Sequence, residues 1–226
     1  MTERDKVLER IREGLRAPAQ PTSGHEAHRG ALSLEPERFR KVLPSVANSF
    51  EQRLELFARC AADLKAQFHR VQKSTDAADL LQTLEVLEKW NGLALHKNPL
   101  VESAVGKLAG HRLYVDAGYD LKELEKCSVG ISACDALVAQ TGSVLVTSRS
   151  AGGRALSVLP PHHVVLAFGK QLMADLPEAF ALLKEKYASE YPSFISFITG
   201  PSRTGDIERI LVLGAHGPKK LTILCC

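Results

Sequence analysis

The sequence lacks the features that define several large classes of protein. None of its apolar runs approaches the roughly 20 residues that a helix needs to cross a bilayer. Its net charge is only +3, and basic and acidic residues are evenly mixed, which argues against a nucleic-acid surface. No internal repeat or low-complexity tract is present. Because the N-terminal residues are charged and no apolar signal segment follows them, we expect a cytoplasmic protein.

Cysteine is sparse and shows no metal-ligand spacing. The five cysteines form no CxxC pair, and their odd number suits a reducing compartment; they are Cys60, Cys127, Cys134, Cys225 and Cys226. We therefore expect no iron–sulfur cluster and no other cofactor bound by this chain. Zincin, dinucleotide-binding, Walker and nucleophile-elbow patterns are also missing, so no metal ligand and no catalytic residue is assigned. His162 and His163 are adjacent, but successive strand residues point to opposite faces, so they should not bind one ion together.

What is present is the composition of an ordinary globular protein. With 226 residues, 45% of them hydrophobic and 24% charged, the chain can bury one sizeable core. Residues 1–44 predict a helix with Val7, Ile11 and Leu15 on one face, followed by a mobile linker from Pro18 to Pro44. Residues 45–226 predict an α/β domain.

The α/β domain opens with two predicted helices and continues with short apolar runs. Ser49 and Gln52 resemble a capping box, and an apolar seam at helical spacing predicts a helix that continues to Val71. A second helix is predicted over Thr75 to Trp90. Further helices are predicted over Asp120 to Cys127, over Asp175 to Tyr187 with a cap at Asp175, and over Ser202 to Leu213. Strands of a mixed sheet are predicted over Leu93 to Leu95, Leu113 to Val115, Val129 to Ser132, Ala136 to Ala139, Ser143 to Thr147, His163 to Ala167, Phe194 to Ile198 and Leu221 to Leu224.

The segment from Ile198 to Glu208 has the pattern of an anion-binding loop. A glycine-led turn between a strand and a predicted helix start would gather backbone N–H groups and the positive end of a helix dipole. Arg203 adds a planar guanidinium suited to a carboxylate or phosphate. The same residues also fit a plain turn with a helix cap and a solvated arginine. The candidate ligand residues here are Gly200, Pro201, Ser202, Arg203, Thr204 and Asp206.

Three other segments are candidates for the same site. The first, a turn with two hydroxyls, fits a plain hairpin almost as well. The second, a Gly-Gly pair followed by an arginine, can present backbone amides to an anion or serve as a flexible turn. The third is a loop histidine, a residue type that can act as an acid, a base or a donor but often does none of these. The candidate residues are Thr141, Gly142 and Ser143 in the first segment, Gly153 and Arg154 in the second, and His216 in the third.

Three motifs follow one another in a fixed order along the chain. They are Ala133-Cys134-Asp135-Ala136 with Val138-Ala139-Gln140-Thr141-Gly142-Ser143, then Arg154-x-Leu156-Ser157-x-Leu159-Pro160-Pro161-His162, then Thr199-Gly200-Pro201-Ser202-Arg203-Thr204-Gly205-Asp206-Ile207-Glu208 with Val212-Leu213-Gly214-Ala215-His216-Gly217-Pro218. In this order and spacing, residues 45–226 resemble the LUD-domain family. The family commonly carries an acidic residue before the Thr-Gly pair, where this chain has Gln140.

The resemblance implies a fold and a function. The implied fold is a three-layer αβα arrangement with a mixed sheet, like that of sugar-phosphate isomerases and coenzyme A transferases, here with an N-terminal helical extension. The lactate-utilisation members resemble subunits that oxidise L-lactate to pyruvate together with iron–sulfur partner proteins. This implies an accessory or substrate-binding subunit for a small anionic metabolite, with iron–sulfur clusters on its partner subunits. A stand-alone enzyme acting on a phosphorylated or acyl metabolite, and an assembly protein with a vestigial pocket, stay open.

Overall fold

The computed structural model describes residues 3–16, 43–72, 74–116, 118–207, 210–213 and 216–226. The chain divides into two compact units, Met1–Leu43 and Pro44–Cys226. In the first unit the predicted helix is present as α1 (Glu3–Arg16), on which Val7 and Leu8 are exposed. The predicted linker lies almost entirely outside the described residues. Among the helices that the structure describes, none is both long and apolar enough to cross a membrane.

The second unit alternates helices and strands. Its helices are α2 (Phe50–Asp63), α3 (Ser74–Glu88), α4 (Pro99–Val105), α5 (Leu121–Glu125), α6 (Arg154–Val158) and α7 (Leu176–Lys186), with a 3-10 turn at Gly169–Gln171. Its strands are β1 (Gln67–Arg70), β2 (Gly92–Leu95), β3 (His111–Tyr114), β4 (Val129–Ala133), β5 (Ala136–Val138), β6 (Ser143–Thr147), β7 (His162–Ala167), β8 (Leu172–Met173), β9 (Ile195–Ile198), β10 (Arg203–Ile207), β11 (Ile210–Leu213) and β12 (Lys220–Cys225). All eight predicted strands are therefore present.

The strands form three sheets. Six of them make a parallel sheet in the order β1-β12-β7-β4-β2-β3. A four-stranded sheet in the order β8-β5-β6-β9 has antiparallel pairing on both sides of β6, and β10 pairs with β11. The predicted α/β class is confirmed, with helices flanking a mainly parallel sheet. The antiparallel strands, however, form separate sheets and do not join the parallel one.

Alternating side chains on the central strands build the core on both faces of the parallel sheet. On β7, Val164 and Leu166 pack with residues of α3 and α4, whereas Val165 and Ala167 pack with α2 and the four-stranded sheet. Because both faces are covered, β7 is buried along its whole length, as its continuous apolar run predicts. Helix α7 covers the far face of the four-stranded sheet with Leu183 among its buried residues.

Helix starts confirm one predicted cap and contradict another. The Asp175 side chain accepts a hydrogen bond of 2.9 Å from the Glu178 backbone N–H, which caps α7 as predicted. Ser49 occupies the N-cap position of α2, but its side chain makes no capping hydrogen bond within the described part of the chain. The capping box predicted from Ser49 and Gln52 is therefore wrong.

The helix predicted over Ser202 to Leu213 is wrong. Within this range Arg203–Ile207 and Ile210–Leu213 form β10 and β11, which pair in antiparallel register with Arg203 opposite Leu213 and Ile207 opposite Ile210. The β-branched residues of this segment and its internal Gly205 favour a strand over a helix. Without a helix start at Ser202, no helix dipole lies behind this loop, and that part of the argument for an anion site is lost.

The helix predicted to run from Ser49 to Val71 ends early. Helix α2 stops at Asp63, and Lys65 adopts a left-handed conformation with φ +68° before the chain enters β1. Lysine gives no sequence signal for such a stop, because this conformation usually selects glycine. Phe68 lies on β1 and packs against Phe57 of α2, with ring centroids 5.2 Å apart. Because of this contact, the apolar pattern of the helix continues in the sequence through Phe68.

Candidate functional site

A cavity of about 340 Å³ lies at the amino-terminal ends of β7 and β12. Residues from one short helix, three strands and two loops line it. They are Arg154, Ser157, Val158, His163, Phe194, Ser196, Ile198, Thr199, Gly200, Pro201, Ser202, His216, Gly217, Pro218 and Leu221. This volume suits a small metabolite, and apolar walls with a few polar groups are typical of such sites.

Strand alternation places one wall of the cavity. Phe194, Ser196 and Ile198 recur at every second position along the segment that contains β9, so they share one face of the strand. The intervening Phe197 points to the opposite face and packs near Phe180, with ring centroids 5.2 Å apart. The wall is therefore an extension of the apolar core between the two larger sheets.

Arg154 supplies the permanent charge of the cavity. It is the first residue of α6, is exposed, and forms no ion pair within the part of the chain that the structure describes. No carboxylate and no lysine is among the described lining residues, so the guanidinium has no internal counter-charge there. The buried Ser157 hydroxyl donates to the Arg154 carbonyl at 3.0 Å, which fixes the first turn of the helix. A guanidinium in this setting is suited to pair with a carboxylate or phosphate.

His163 is the buried polar group of the cavity. Its side chain has an exposed fraction of 1%, and its Nε2 lies 3.0 Å from the Ser132 hydroxyl on the neighbouring strand β4. Its Nδ1 has no hydrogen-bond partner among the described residues. Burial, and to a smaller extent the neighbouring His162, lowers the pKa of His163 to about 3. The imidazole is thus neutral at physiological pH and offers a hydrogen bond without a charge.

His162 and His163 point to opposite faces of the sheet, as the sequence predicted. His162 Nε2 lies 2.9 Å from the Thr222 hydroxyl, and its ring packs edge-on against Trp90 with centroids 5.3 Å apart. Of these two adjacent histidines, only His163 lines the cavity. The two histidines therefore serve different surroundings although they are adjacent in sequence.

Two loops meet at the rim of the cavity. The Ser202 backbone N–H donates to the Pro218 carbonyl at 2.9 Å, and an ideal Cβ at Gly217 would lie 3.0 Å from Ser202 Cβ. Through this close contact both Ser202 and the exposed His216 line the cavity.

The Thr141–Ser143 turn lies behind the cavity. The Ser143 hydroxyl lies 2.8 Å from both the Thr141 and the Thr199 hydroxyls, and only Thr199 lines the cavity. Gly142 has φ +64°, and an added Cβ would come within 2.6 Å of the Ala61 backbone nitrogen in α2. This turn therefore positions Thr199 and packs on a helix, as a plain hairpin turn would.

Arg203 lies beside the cavity and does not line it. Gly200 has φ +85°, and an ideal Cβ there would lie 2.7 Å from the Leu64 carbonyl oxygen and 3.2 Å from Arg203 Nη2. The guanidinium is thus on the side of Gly200 that faces the carboxyl end of α2, where a positive charge is favourable. Arg154, and not Arg203, is the arginine that this structure brings into the cavity.

The structure groups some of the predicted ligand residues and separates others. Those that line the cavity are Arg154, Gly200, Pro201, Ser202 and His216. Those that do not are Thr141, Gly142, Ser143, Gly153 and Arg203. The side chains of Thr204 and Asp206 lie outside the described residues, although their backbone belongs to β10. The sequence singled out neither Thr199 nor His163 as a ligand residue. For His163 the reason is that its partner, Ser132, lies on β4 and comes next to β7 only in the folded chain.

The first of the three ordered motifs has a structural role. Asp135 is buried, and its Oδ1 accepts from Lys186 Nζ at 2.5 Å and from the Tyr187 hydroxyl at 2.7 Å. Burial acts to raise the pKa of Asp135, but the hydrogen bonds from Lys186 and Tyr187 outweigh it and lower the pKa below its ordinary value. The Gln140 amide, at the position where the family commonly has an acid, donates to the Pro44 carbonyl at 2.9 Å, which a carboxylate could not do. Both residues fix backbone segments outside the cavity.

Metal-ligand chemistry was sought separately. Within the described ranges, no group of three or more His, Cys, Asp or Glu side chains is placed to hold a metal ion.

Comparison with known proteins finds a family model that matches the half of the chain containing this cavity, and curated relatives that match a similar share of the chain. The family model of the LUD domain matches residues 116–225. Among curated relatives named lactate utilization protein C, those from Anoxybacillus flavithermus, Bacillus subtilis and Geobacillus kaustophilus are 34%, 33% and 38% identical over 105, 103 and 98 residues. The matches cover 46%, 45% and 42% of this chain and 46%, 43% and 41% of the relatives, so less than half of each relative is spanned.

A solved structure extends the likeness of the fold to most of the chain. A DUF162 family protein from Deinococcus radiodurans aligns with a TM-score of 0.61 over 79% of this chain and 99% of that protein, at 16% sequence identity. At that identity the alignment shows that the fold is shared and gives no information on activity. The range that the LUD family model matches, residues 116–225, contains all of the described residues that line the cavity.

Proposed function

We propose that this chain takes part in L-lactate utilisation by binding a small 2-hydroxy or 2-oxo monocarboxylate in the cavity beside Arg154. In this role it is an accessory or substrate-binding subunit of a system that oxidises L-lactate to pyruvate. The names of its curated relatives support a role in lactate utilisation. The sequence matches span less than half of each relative, so the role of the relatives is only proposed for this chain.

The observation that carries the proposal is the Arg154 guanidinium over a largely apolar cavity, without an ion-pair partner among the described residues. Arg154 can hold a carboxylate through two parallel N–H bonds, while Leu221 and Val158 offer a surface for a methyl group. Neutral His163 and the rim hydroxyl of Ser202 add polar contacts without further charge. One arginine and no lysine among the described lining residues match a monoanion better than a phosphate dianion.

Oxidation of lactate to pyruvate releases two electrons and two protons, which an acceptor must take up. We assign the electrons to iron–sulfur partner proteins, as the family resemblance implies. Anaerobic affinity capture of the tagged chain from cells grown on lactate, followed by iron and sulfide analysis of the eluate, tests this assignment. Capture without any iron–sulfur protein would contradict it.

Calorimetric titration of the purified chain with L-lactate, pyruvate and a panel of phosphorylated metabolites tests the ligand. We expect lactate and pyruvate to bind, and Arg154→Ala to weaken both by about tenfold, since an exposed charge-assisted pair contributes about 1.5 kcal/mol. Arg154→Lys should recover part of the loss, because it keeps the charge but not the planar two-point contact.

Arg203→Ala is the matched control, because Arg203 lies next to the same loop but outside the cavity. We expect it to change affinity less than twofold. An equal loss in both alanine variants would restore the sequence prediction that Arg203 holds the anion. Binding of a phosphorylated metabolite in place of the carboxylates would refute the proposal and favour a stand-alone enzyme.

A further inference from the structure

His163, which lines the cavity, carries a buried polar atom that no described residue pairs. Its exposed fraction is 1%, and the unpaired atom is Nδ1. A buried donor or acceptor left unpaired carries an uncompensated desolvation cost. A ligand atom that bonds to it would recover this cost, whereas an apolar ligand group would leave it in place.

The chemistry of His163 suits an oxygen that is either a hydroxyl or a ketone. Nε2 contacts the Ser132 hydroxyl, which can donate or accept, so either tautomer of the imidazole keeps that bond. Nδ1 can therefore donate to a keto oxygen in one tautomer or accept from a hydroxyl in the other. Lactate and pyruvate differ at C2 in this respect, and one adaptable imidazole can serve both.

Arg154 and His163 offer a ligand two different kinds of polar contact. Arg154 is exposed and charged at the start of α6, whereas His163 is buried and uncharged on β7. His216 also lines the cavity but is exposed, and a hydrogen bond that competes with water discriminates less between ligands.

We propose that His163 is the specificity-determining residue of the cavity, and that its Nδ1 hydrogen-bonds the oxygen on C2 of a 2-hydroxy or 2-oxo monocarboxylate. This inference rests on the proposed function in that Arg154 must hold the carboxylate. It goes further because it states which acids the cavity rejects. A site built to bond a ligand oxygen discriminates against the analogue without it, since its buried polar atom is then left unpaired.

Propionate is the test ligand, because it has the carboxylate and carbon chain of lactate without the C2 oxygen. In calorimetric titrations of the full chain we expect propionate to bind about 5- to 160-fold more weakly than lactate or pyruvate, the range that a loss of about 1–3 kcal/mol produces. His163→Phe should bring the three affinities within about twofold of one another.

Two conservative variants separate a direct contact from a merely structural role. The amide of His163→Asn lies near the position of Nδ1 and should retain much of the preference for lactate over propionate. The longer amide of His163→Gln lies near Nε2 and should keep the contact with Ser132 but lose the preference. His162→Asn is the matched control, because His162 is equally buried on the opposite face of the sheet, and it should leave the ratio unchanged.

The outcomes distinguish this inference from the proposed function. If lactate, pyruvate and propionate bind the wild-type chain equally and all depend on Arg154, the proposed function stands and the role of His163 is refuted. If none of the acids binds, both are refuted. Because the wild-type affinity ratio needs no substitution, a variant that fails to fold still leaves the proposal decidable. In that case, imidazole 15N spectra should show the Nδ1 resonance of His163 moving with lactate and not with propionate, and the opposite result would overturn the inference.

Discussion

The adjacent buried histidines should make this domain unusually sensitive to mild acid. Burial lowers the pKa of His162 to about 4 and that of His163 to about 3. At His162 the nearby Glu88 opposes this shift and Lys220 adds to it. In the unfolded chain both imidazoles titrate near about 6.5. The unfolded state therefore binds more protons than the native state across the whole interval between these values.

The sign and size of the effect follow from proton linkage. The stabilisation from neutral, buried histidines is fully present above pH 6.5 and is lost as the pH falls toward the native pKa values. Between pH 7 and pH 5 each unfolded imidazole gains most of a proton and each native one gains almost none. The free energy of unfolding should then fall by about 2 kcal/mol for each histidine, or about 4 kcal/mol for the pair. A typical domain has only about 5–15 kcal/mol in total.

Urea unfolding at pH 8, 7, 6 and 5 and constant ionic strength measures this slope. His162→Leu and His163→Leu should each remove about half of the decrease, whatever their effect on stability at pH 8. His111→Gln, at an exposed position on β3, is the control and should follow the wild-type profile. If both leucine variants lose stability in parallel with the wild type between pH 7 and pH 5, the buried-histidine argument is wrong.

Two further predictions concern parts of the chain away from the cavity. Deletion of residues 1–43 should leave the thermal midpoint of the remaining chain within a few degrees of the full-length value, because these residues form a separate unit and the described part of α1 is exposed. A drop of ten degrees or more in the calorimetric midpoint would contradict this. Lys186→Met should lower the free energy of unfolding in urea by about 3 kcal/mol, because it leaves the buried Asp135 carboxylate without its cation. Asp135→Asn should cost less, because it leaves a half-exposed ammonium that water can solvate. The reverse order would show that Asp135 is not held as a buried carboxylate.

The strands could be predicted because parallel strands buried on both faces give continuous apolar runs. Such a run is unambiguous over Val164 to Ala167 and again over Leu221 to Leu224, where turns bound it on either side. Strand β1 was missed because three of its four residues are polar and none is fully buried, at the edge of the sheet. The apolar pattern of α2 ran on through it without a glycine or proline to mark the change.

The start of the hairpin of β10 and β11 resembles a helix start in sequence. Ser202 after a Gly-Pro pair fits a helix cap as well as a strand entry, and the pairing of Arg203 with Leu213 is set across the hairpin. This ambiguity affected the predicted site directly. With a helix start at Ser202, Arg203 would be the anion ligand, whereas Arg154 begins a helix of only five residues that the sequence pattern did not reveal.

The cavity lies at the less common end of the parallel sheet. Ligands of open α/β sheets usually bind beyond the carboxyl ends of the strands. At the carboxyl ends of β2 and β3, His96 Nδ1 lies 2.7 Å from Asp116 Oδ1, and His96 Nε2 lies 3.1 Å from the Arg149 carbonyl. At the amino ends of β7 and β12, His163 Nδ1 is buried without a hydrogen-bond partner among the described residues. Since an unpaired buried group gains more from a ligand than a paired one, the binding that we propose at this end would satisfy His163.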